Sequence, residues 1–125
     1  MAERALVLFA HGARDPGWAE PLRALKAELE VRLPGERVAL AFLERMPPSL
    51  AECAGALYAE GVRRLRVVPV FFGAGGHLKS DLPRLVGELA ARHPDLAIAV
   101  EPPIGEQPEV IAAIAGAIAR GAAPA

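Results

Sequence analysis

Three residues able to hold a divalent cation or move a proton, His11, Glu44 and His77, each stand just past the end of a short apolar run. A neutral imidazole nitrogen binds first-row divalent metals and also accepts a proton near neutral pH. Two imidazoles with a carboxylate therefore suit either metal binding or proton transfer. Three such ligands leave coordination positions open for a substrate. Arg14, Arg45, Lys79 and Arg84 lie within a few residues of the same run ends and suit pairing with carboxylates on a ligand. The segment Phe72, Gly73, Ala74, Gly75, Gly76 leads into His77. Its glycines let a flat ligand approach the backbone and let His77 point inward. The spacing does not match G-x-G-x-x-G and no G-K-[ST] is present, which argues against a nucleotide site.

Elements that bring these residues to one place are readable from the hydrophobic pattern. The runs Ala5–Ala10, Val38–Leu43, Leu65–Phe71 and Leu96–Val100 read as strands, and helical patterns follow each of them. Asp15-Pro16 opens the first helix, whose apolar face is Leu22, Leu25, Leu29 and Leu33, and Pro34-Gly35 stops it. Ser49-Leu-Ala-Glu52 is a capping box for a second helix that carries Leu57 and Tyr58 and ends at Gly61. Ser80 or Asp81 caps a third, bearing Leu82, Leu85, Val86 and Leu89 and ending at Arg92-His93-Pro94. Glu101 to Gly105 leads to a last helix with Val110, Ile111, Ile114 and Ile118, closed by Gly121. The tail from Ala122 to Ala125 is expected to fray.

Four βα units with strands apolar on both faces predict an α/β fold, a parallel sheet sandwiched by helices. Right-handed crossovers place every strand's carboxyl end on one edge, and in open sheets ligands bind there, where strand order reverses. The expected order is the flavodoxin-like 2-1-3-4, which makes strands one and three neighbours and sets His11 facing His77. One domain is expected over residues 1–121. The last helix is rich in Ile and Ala on more than one side, more than one sheet contact needs, so a partner subunit is expected to cover the remainder.

Composition narrows the classes. A formal net charge of -1 without a basic block argues against nucleic acid or an anionic membrane as the main partner. The apolar stretch between Arg4 and His11 is too short for a signal peptide or a membrane span, so the expected location is cytoplasmic. The single cysteine, Cys53, has no intramolecular partner and reads as a small buried side chain. His93, in a last helical turn before Pro94, reads as structural.

Taken together, His11-Gly-Ala-Arg-Asp-Pro16, Phe42-Leu-Glu44 and Pro69-Val-Phe-Phe-Gly-Ala-Gly-Gly-His77, continuing to Asp81-Leu-Pro83, resemble the class II tetrapyrrole chelatases, and within them the short sirohydrochlorin cobaltochelatases of the CbiX type. The resemblance implies the three-layer chelatase-like fold and insertion of Co2+ into sirohydrochlorin on the route to cobalamin, without ATP. Carried over by residue, it makes His11 a metal ligand and proton acceptor, and Glu44 and His77 metal ligands. It makes Phe72 to His77 and the region of Pro47 substrate contacts. Because long relatives contain two such halves, it also implies a homodimer. Position 13 is Ala where the family commonly has Ser, and the histidine-rich tail of some relatives is missing.

The residues leave other readings open. A His/His/Glu set also binds Fe2+ or Ni2+, which would make the product a siroheme or related precursor. A metal or tetrapyrrole carrier needs the pocket but no turnover. Phosphoryl transfer at His-Gly-x-Arg is disfavoured because Ala10, not arginine, precedes His11.

Overall fold

A computed structural model of the chain describes residues 3–73 and 75–122, and at 76–78 the backbone alone. Strands β1 (Arg4–Ala10), β2 (Arg37–Phe42), β3 (Arg64–Pro69) and β4 (Ala97–Val100) alternate with helices α1 (Glu20–Arg32), α2 (Leu50–Ala59), α3 (Gly76–Arg92) and α4 (Pro108–Arg120). Every pairing is parallel and the order is β2-β1-β3-β4. Strand order therefore reverses between β1 and β3, as the four βα units led one to expect.

β1 is the centre of the core because it is buried on both sides. Alternation sends Ala5, Val7 and Phe9 toward Leu50, Cys53 and Leu57 of α2 and Leu82 and Leu89 of α3. Leu6, Leu8 and Ala10 face the other way, toward Leu29, Leu33 and Leu22 at α1. Each fully buried Val, Leu or Phe contributes about 1.5–3 kcal/mol. The layers are thus α1, sheet, and α2 with α3. No helix among the described residues is long and apolar enough to cross a membrane.

Local signals account for most boundaries. Ser49 Oγ accepts from the Glu52 N–H at 3.1 Å and the Glu52 carboxylate accepts from the Ser49 N–H at 2.8 Å, which closes the capping box of α2. Gly61 at φ 104 ends the turn that follows that helix. Asp15 does act as a cap, its carboxylate accepting from the Gly17 N–H at 2.9 Å. It caps a 3-10 turn, Pro16–Ala19, and α1 proper begins only at Glu20.

Three expectations need correction. The third helix is not capped by Ser80 or Asp81: it starts at Gly76 with Gly75 as its N-cap, so position 77 lies in its first turn and Pro83 lies inside it. The glycine-rich stretch winds into helix because the Lys79 N–H finds the Gly75 carbonyl at 3.1 Å. The strands are also not apolar on both faces throughout. Arg66, between the inward-facing Leu65 and Val67, emerges on the α1 side of β3 and pairs with Glu101 at 2.6 Å and Glu36 at 3.5 Å. β4 is an exposed edge strand, with only Ile98 half-buried. Finally, α4 flanks the sheet without burying the isoleucine face that a sheet contact would cover. None of its residues is buried, and Ile111, Ile114 and Ile118 remain exposed. Ala123 to Ala125, most of the tail expected to fray, lie outside the described residues.

Candidate functional site

The carboxyl ends of β1 and β2 are tied together beyond the strands. The Leu43 N–H donates to the Ala10 carbonyl at 2.8 Å and the Glu44 N–H to the His11 carbonyl at 3.1 Å. Gly12 makes this approach possible. It adopts φ 97, and a Cβ there would stand 1.9 Å from the Glu44 carbonyl oxygen. Beyond Glu44 the chain turns through Arg45 at φ 72 and the cis Pro47-Pro48 peptide, and Pro48 returns its carbonyl to the Phe42 N–H at 2.9 Å.

His11 and Glu44 consequently face each other, Nε2 to Oε2 at 3.8 Å, with 55% and 45% of their side chains exposed. That separation is too long for a hydrogen bond. It is close to the roughly 3.5 Å that separates two donors each about 2.1 Å from one tetrahedral cation. In water the pair alone contributes little to stability. The His11 ring is set by its neighbours: Phe71 meets it edge-on at 6.4 Å, and Phe9 in the core meets Phe71 edge-on at 6.2 Å. The buried strand residue therefore orients the ring at the strand's end.

A cleft of about 380 Å³ opens here, lined by His11, Leu43, Glu44, Asp81, Arg84 and Leu85. Its walls combine a base, two carboxylates and a guanidinium with two leucines, which suits a ligand having both charged edges and an apolar face. Arg84 is held by Asp81 at 3.6 Å and Glu88 at 3.2 Å. Cys53 is distant from this chemistry in kind, since burial pushes its thiol up to about 11 and leaves no thiolate near neutral pH.

Of the residues singled out from the sequence, His11, Glu44 and Arg84 meet in the cleft. The side chain of His77 and all of Ala74 lie outside the described residues, as does everything of Gly76 but its backbone. Position 77 opens α3 one helical turn before Asp81. Among the described residues no three His, Cys, Asp or Glu side chains gather into a metal site. Arg14, Arg45 and Pro47 are exposed on the loops after β1 and β2, outside the cleft lining, and neither arginine pairs with a carboxylate among the described residues. Phe72 is 69% exposed. It is braced by the turn Ile104–Glu106, where the Gly105 N–H donates to the Phe71 carbonyl at 2.9 Å and a Cβ on Gly105 would stand 2.4 Å from Phe72 Cα. Gly73 is exposed beside it, and Lys79 faces a different groove. Asp81 lines the cleft, although sequence reasoning gave it only a capping role and a place in the motif that carries the resemblance. Its spacing of four from His77 would have marked it, had the helix been started early enough.

Comparison with known proteins identifies the family and the fold. The CbiX family model matches residues 5–120. A sirohydrochlorin cobaltochelatase of Saccharolobus islandicus is 34% identical over 66% of this chain and 62% of its own length. One of Methanocaldococcus jannaschii is 34% identical over 71% of this chain and, again, 62% of its own length. The matched segments thus span less than two thirds of these relatives. Among solved structures, a CbiX protein of Marinobacter aquaeolei VT8 superposes with a TM-score of 0.83 at 30% identity, over 94% of this chain and 96% of that one. The sirohydrochlorin chelatase SirB of Bacillus subtilis, in complex with cobalt, shares the fold at a TM-score of 0.80 and 24% identity, over 94% of this chain and 50% of that one.

Proposed function

The chain belongs to the CbiX family, and from that premise we propose that it is a sirohydrochlorin cobaltochelatase, inserting Co2+ into sirohydrochlorin for cobalamin synthesis with no nucleotide. The reading is supported above all by His11 and Glu44 facing each other across 3.8 Å in a cleft that also holds Arg84.

Metal insertion has three requirements. The cation must shed water, two pyrrole nitrogens must lose their protons, and the nitrogens must replace the ligands that delivered the ion. His11 serves the first as a metal ligand and takes part in the second as a proton acceptor. Glu44 shares the ion, and its negative charge offsets the cost of dehydrating a dication. His77 is assigned as the third ligand, entering from the start of α3. Phe72, Gly73, Ala74, Gly75 and Gly76 provide backbone against which the macrocycle lies, and Pro47 borders it on the other side. Arg14, Arg45 and Arg84 pair with its peripheral carboxylates. Co2+ is the substrate metal in this assignment. The residue set also suits Fe2+ or Ni2+, and affinity order alone does not select one, so assays with each ion decide among them.

The protein is assigned as a cytoplasmic homodimer whose single domain covers residues 1–121. The deciding experiment mixes purified protein with sirohydrochlorin and Co2+ under anaerobic conditions and follows the absorbance change against the uncatalysed rate. Acceleration by the native chain and not by His11→Ala is the expected result. Tight binding of sirohydrochlorin without acceleration by Co2+, Fe2+ or Ni2+ replaces the enzyme with a carrier.

A further inference from the structure

Two apolar surfaces have no covering segment among the described residues, and they match each other. One is the face of α4 that carries Ile111, Ile114 and Ile118. The other is a groove of about 550 Å³ between α3 and the carboxyl ends of β3 and β4, lined mainly by Leu82, Pro83, Val86, Gly87, Ala90 and Val100, with Glu101 also in its wall. Leu82, Val86 and Ala90 form one row spaced by four along α3, and Lys79, Pro83 and Gly87 form the next. A furrow between two such rows receives the side-chain ridge of another helix. Gly87 lowers its wall: a Cβ there would meet nothing within 4 Å.

The chain's own α4 is led away from this groove. Ile104, just before it, is packed among Leu6, Leu8 and Val68 on the α1 side of the sheet, whereas the groove lies on the α3 side. The occupant must come from elsewhere, and length and charge say what fits. Between Glu109 and Arg120 the helix carries no charged residue, and the same eleven-residue separation divides Lys79 from Ala90 along the groove. Laid parallel to α3, α4 brings Glu109 to Lys79 near the amino end of α3 and Arg120 to its carboxyl end. Both placements oppose the helix dipole. Lys79 and Glu109 have no ionic partner among the described residues.

We infer that α4 of one copy docks in the α3–β4 groove of a second copy, and that the second returns its own α4 to the first. This rests on the homodimer assigned above and specifies its interface. Each exchanged helix would brace the amino-terminal half of the partner's α3, the helix that carries position 77 and Asp81.

The test is sedimentation equilibrium on the full chain and on variants whose helical content is checked by circular dichroism. Ile114→Glu spoils the helix, and Gly87→Glu spoils the groove at an exposed position without crowding the fold. Each is expected to weaken the dimer about thirtyfold or more. An equimolar mixture of the two is expected to regain dimer, because one intact helix then meets one intact groove. Lys79→Glu and Glu109→Lys should each weaken association several-fold, and the double variant should recover it. If Ile114→Glu dissociates the dimer while Gly87→Glu does not, α4 pairs with α4 and the inference falls. If neither variant alters a stable dimer, the inference falls and the homodimer stands. If the native chain is a monomer at every concentration, both fall.

Discussion

The Glu44 carbonyl oxygen occupies the space in which a side chain on residue 12 would begin, 1.9 Å from where a Cβ would stand. Gly12 is therefore the hinge of the site, because the loop after β1 passes the loop after β2 closely enough to hold His11 against Glu44 only while position 12 has no side chain. Gly12→Ala forces the two loops apart and also places alanine at φ 97. It should cost about 1–3 kcal/mol from backbone strain alone, seen as a lower urea midpoint. Insertion activity should fall further than the loss of folded protein explains. An unchanged midpoint would show that the loops separate freely and that their contact does not position the site.

His11→Ala should leave folding intact, since the side chain is half-exposed at a strand end. It should reduce Co2+ insertion about a hundredfold or more, the usual scale for loss of a positioned base. Glu44→Gln keeps the shape and removes the charge, so it should weaken activity most at low Co2+. Initial rates across a Co2+ titration separate the two effects, and near-normal turnover of His11→Ala would remove that residue from the mechanism.

Arg84 lies on the cleft wall, already flanked by Asp81 and Glu88. A group that pairs with substrate carboxylates in ground state and transition state alike acts on binding. Arg84→Gln should raise KM for sirohydrochlorin several-fold with kcat little changed. A fall in kcat at constant KM would instead give Arg84 a part in the metal transfer itself.

Strand residues announced themselves in the sequence as short apolar runs, most complete in β1, which is buried on both faces, and the four runs fell within about two residues of β1 to β4. Their carboxyl ends then brought His11 and Glu44 together without any knowledge of side-chain contacts. What escaped the sequence depended on tertiary context. Pro83 and Ser80 argued for a late start to α3, yet a single backbone bond at Gly75 extends the helix to Gly76 and makes Asp81 a site residue. Arg66 stood in an otherwise apolar strand, and its meaning emerged only when Glu36 and Glu101 were found beside it. The isoleucines of α4 signalled an apolar face as a pattern, but nothing in the pattern says that no described residue of the same chain covers it.

At the opposite edge of the sheet, the Tyr58 hydroxyl donates to Asp95 at 2.5 Å, Arg63 lies over the Tyr58 ring at 3.7 Å and pairs with Asp95 at 3.3 Å, and His93 packs on the same ring at 4.3 Å. The hydrogen bond from Tyr58 is the largest influence holding the Asp95 carboxyl below its usual range, and the same bond is the largest influence raising the Tyr58 phenol. Asp95 therefore contributes stability that is present above the ordinary carboxylate pKa and is lost as pH falls through its depressed folded value. Tyr58 contributes stability that is present below the ordinary phenol pKa and is lost as pH rises through its elevated folded value. Tyr58→Phe should thus lower the urea midpoint throughout the neutral range, with the difference from the native chain closing in strong acid and in strong base. The groups are exposed, so the effect should be small. Insertion activity of Tyr58→Phe and of His93→Ala should match the native chain, because this cluster joins the starts of β3 and β4 and not their ends. A midpoint difference that is flat from acid to base would assign the loss to ring packing and remove the hydrogen bond as its source.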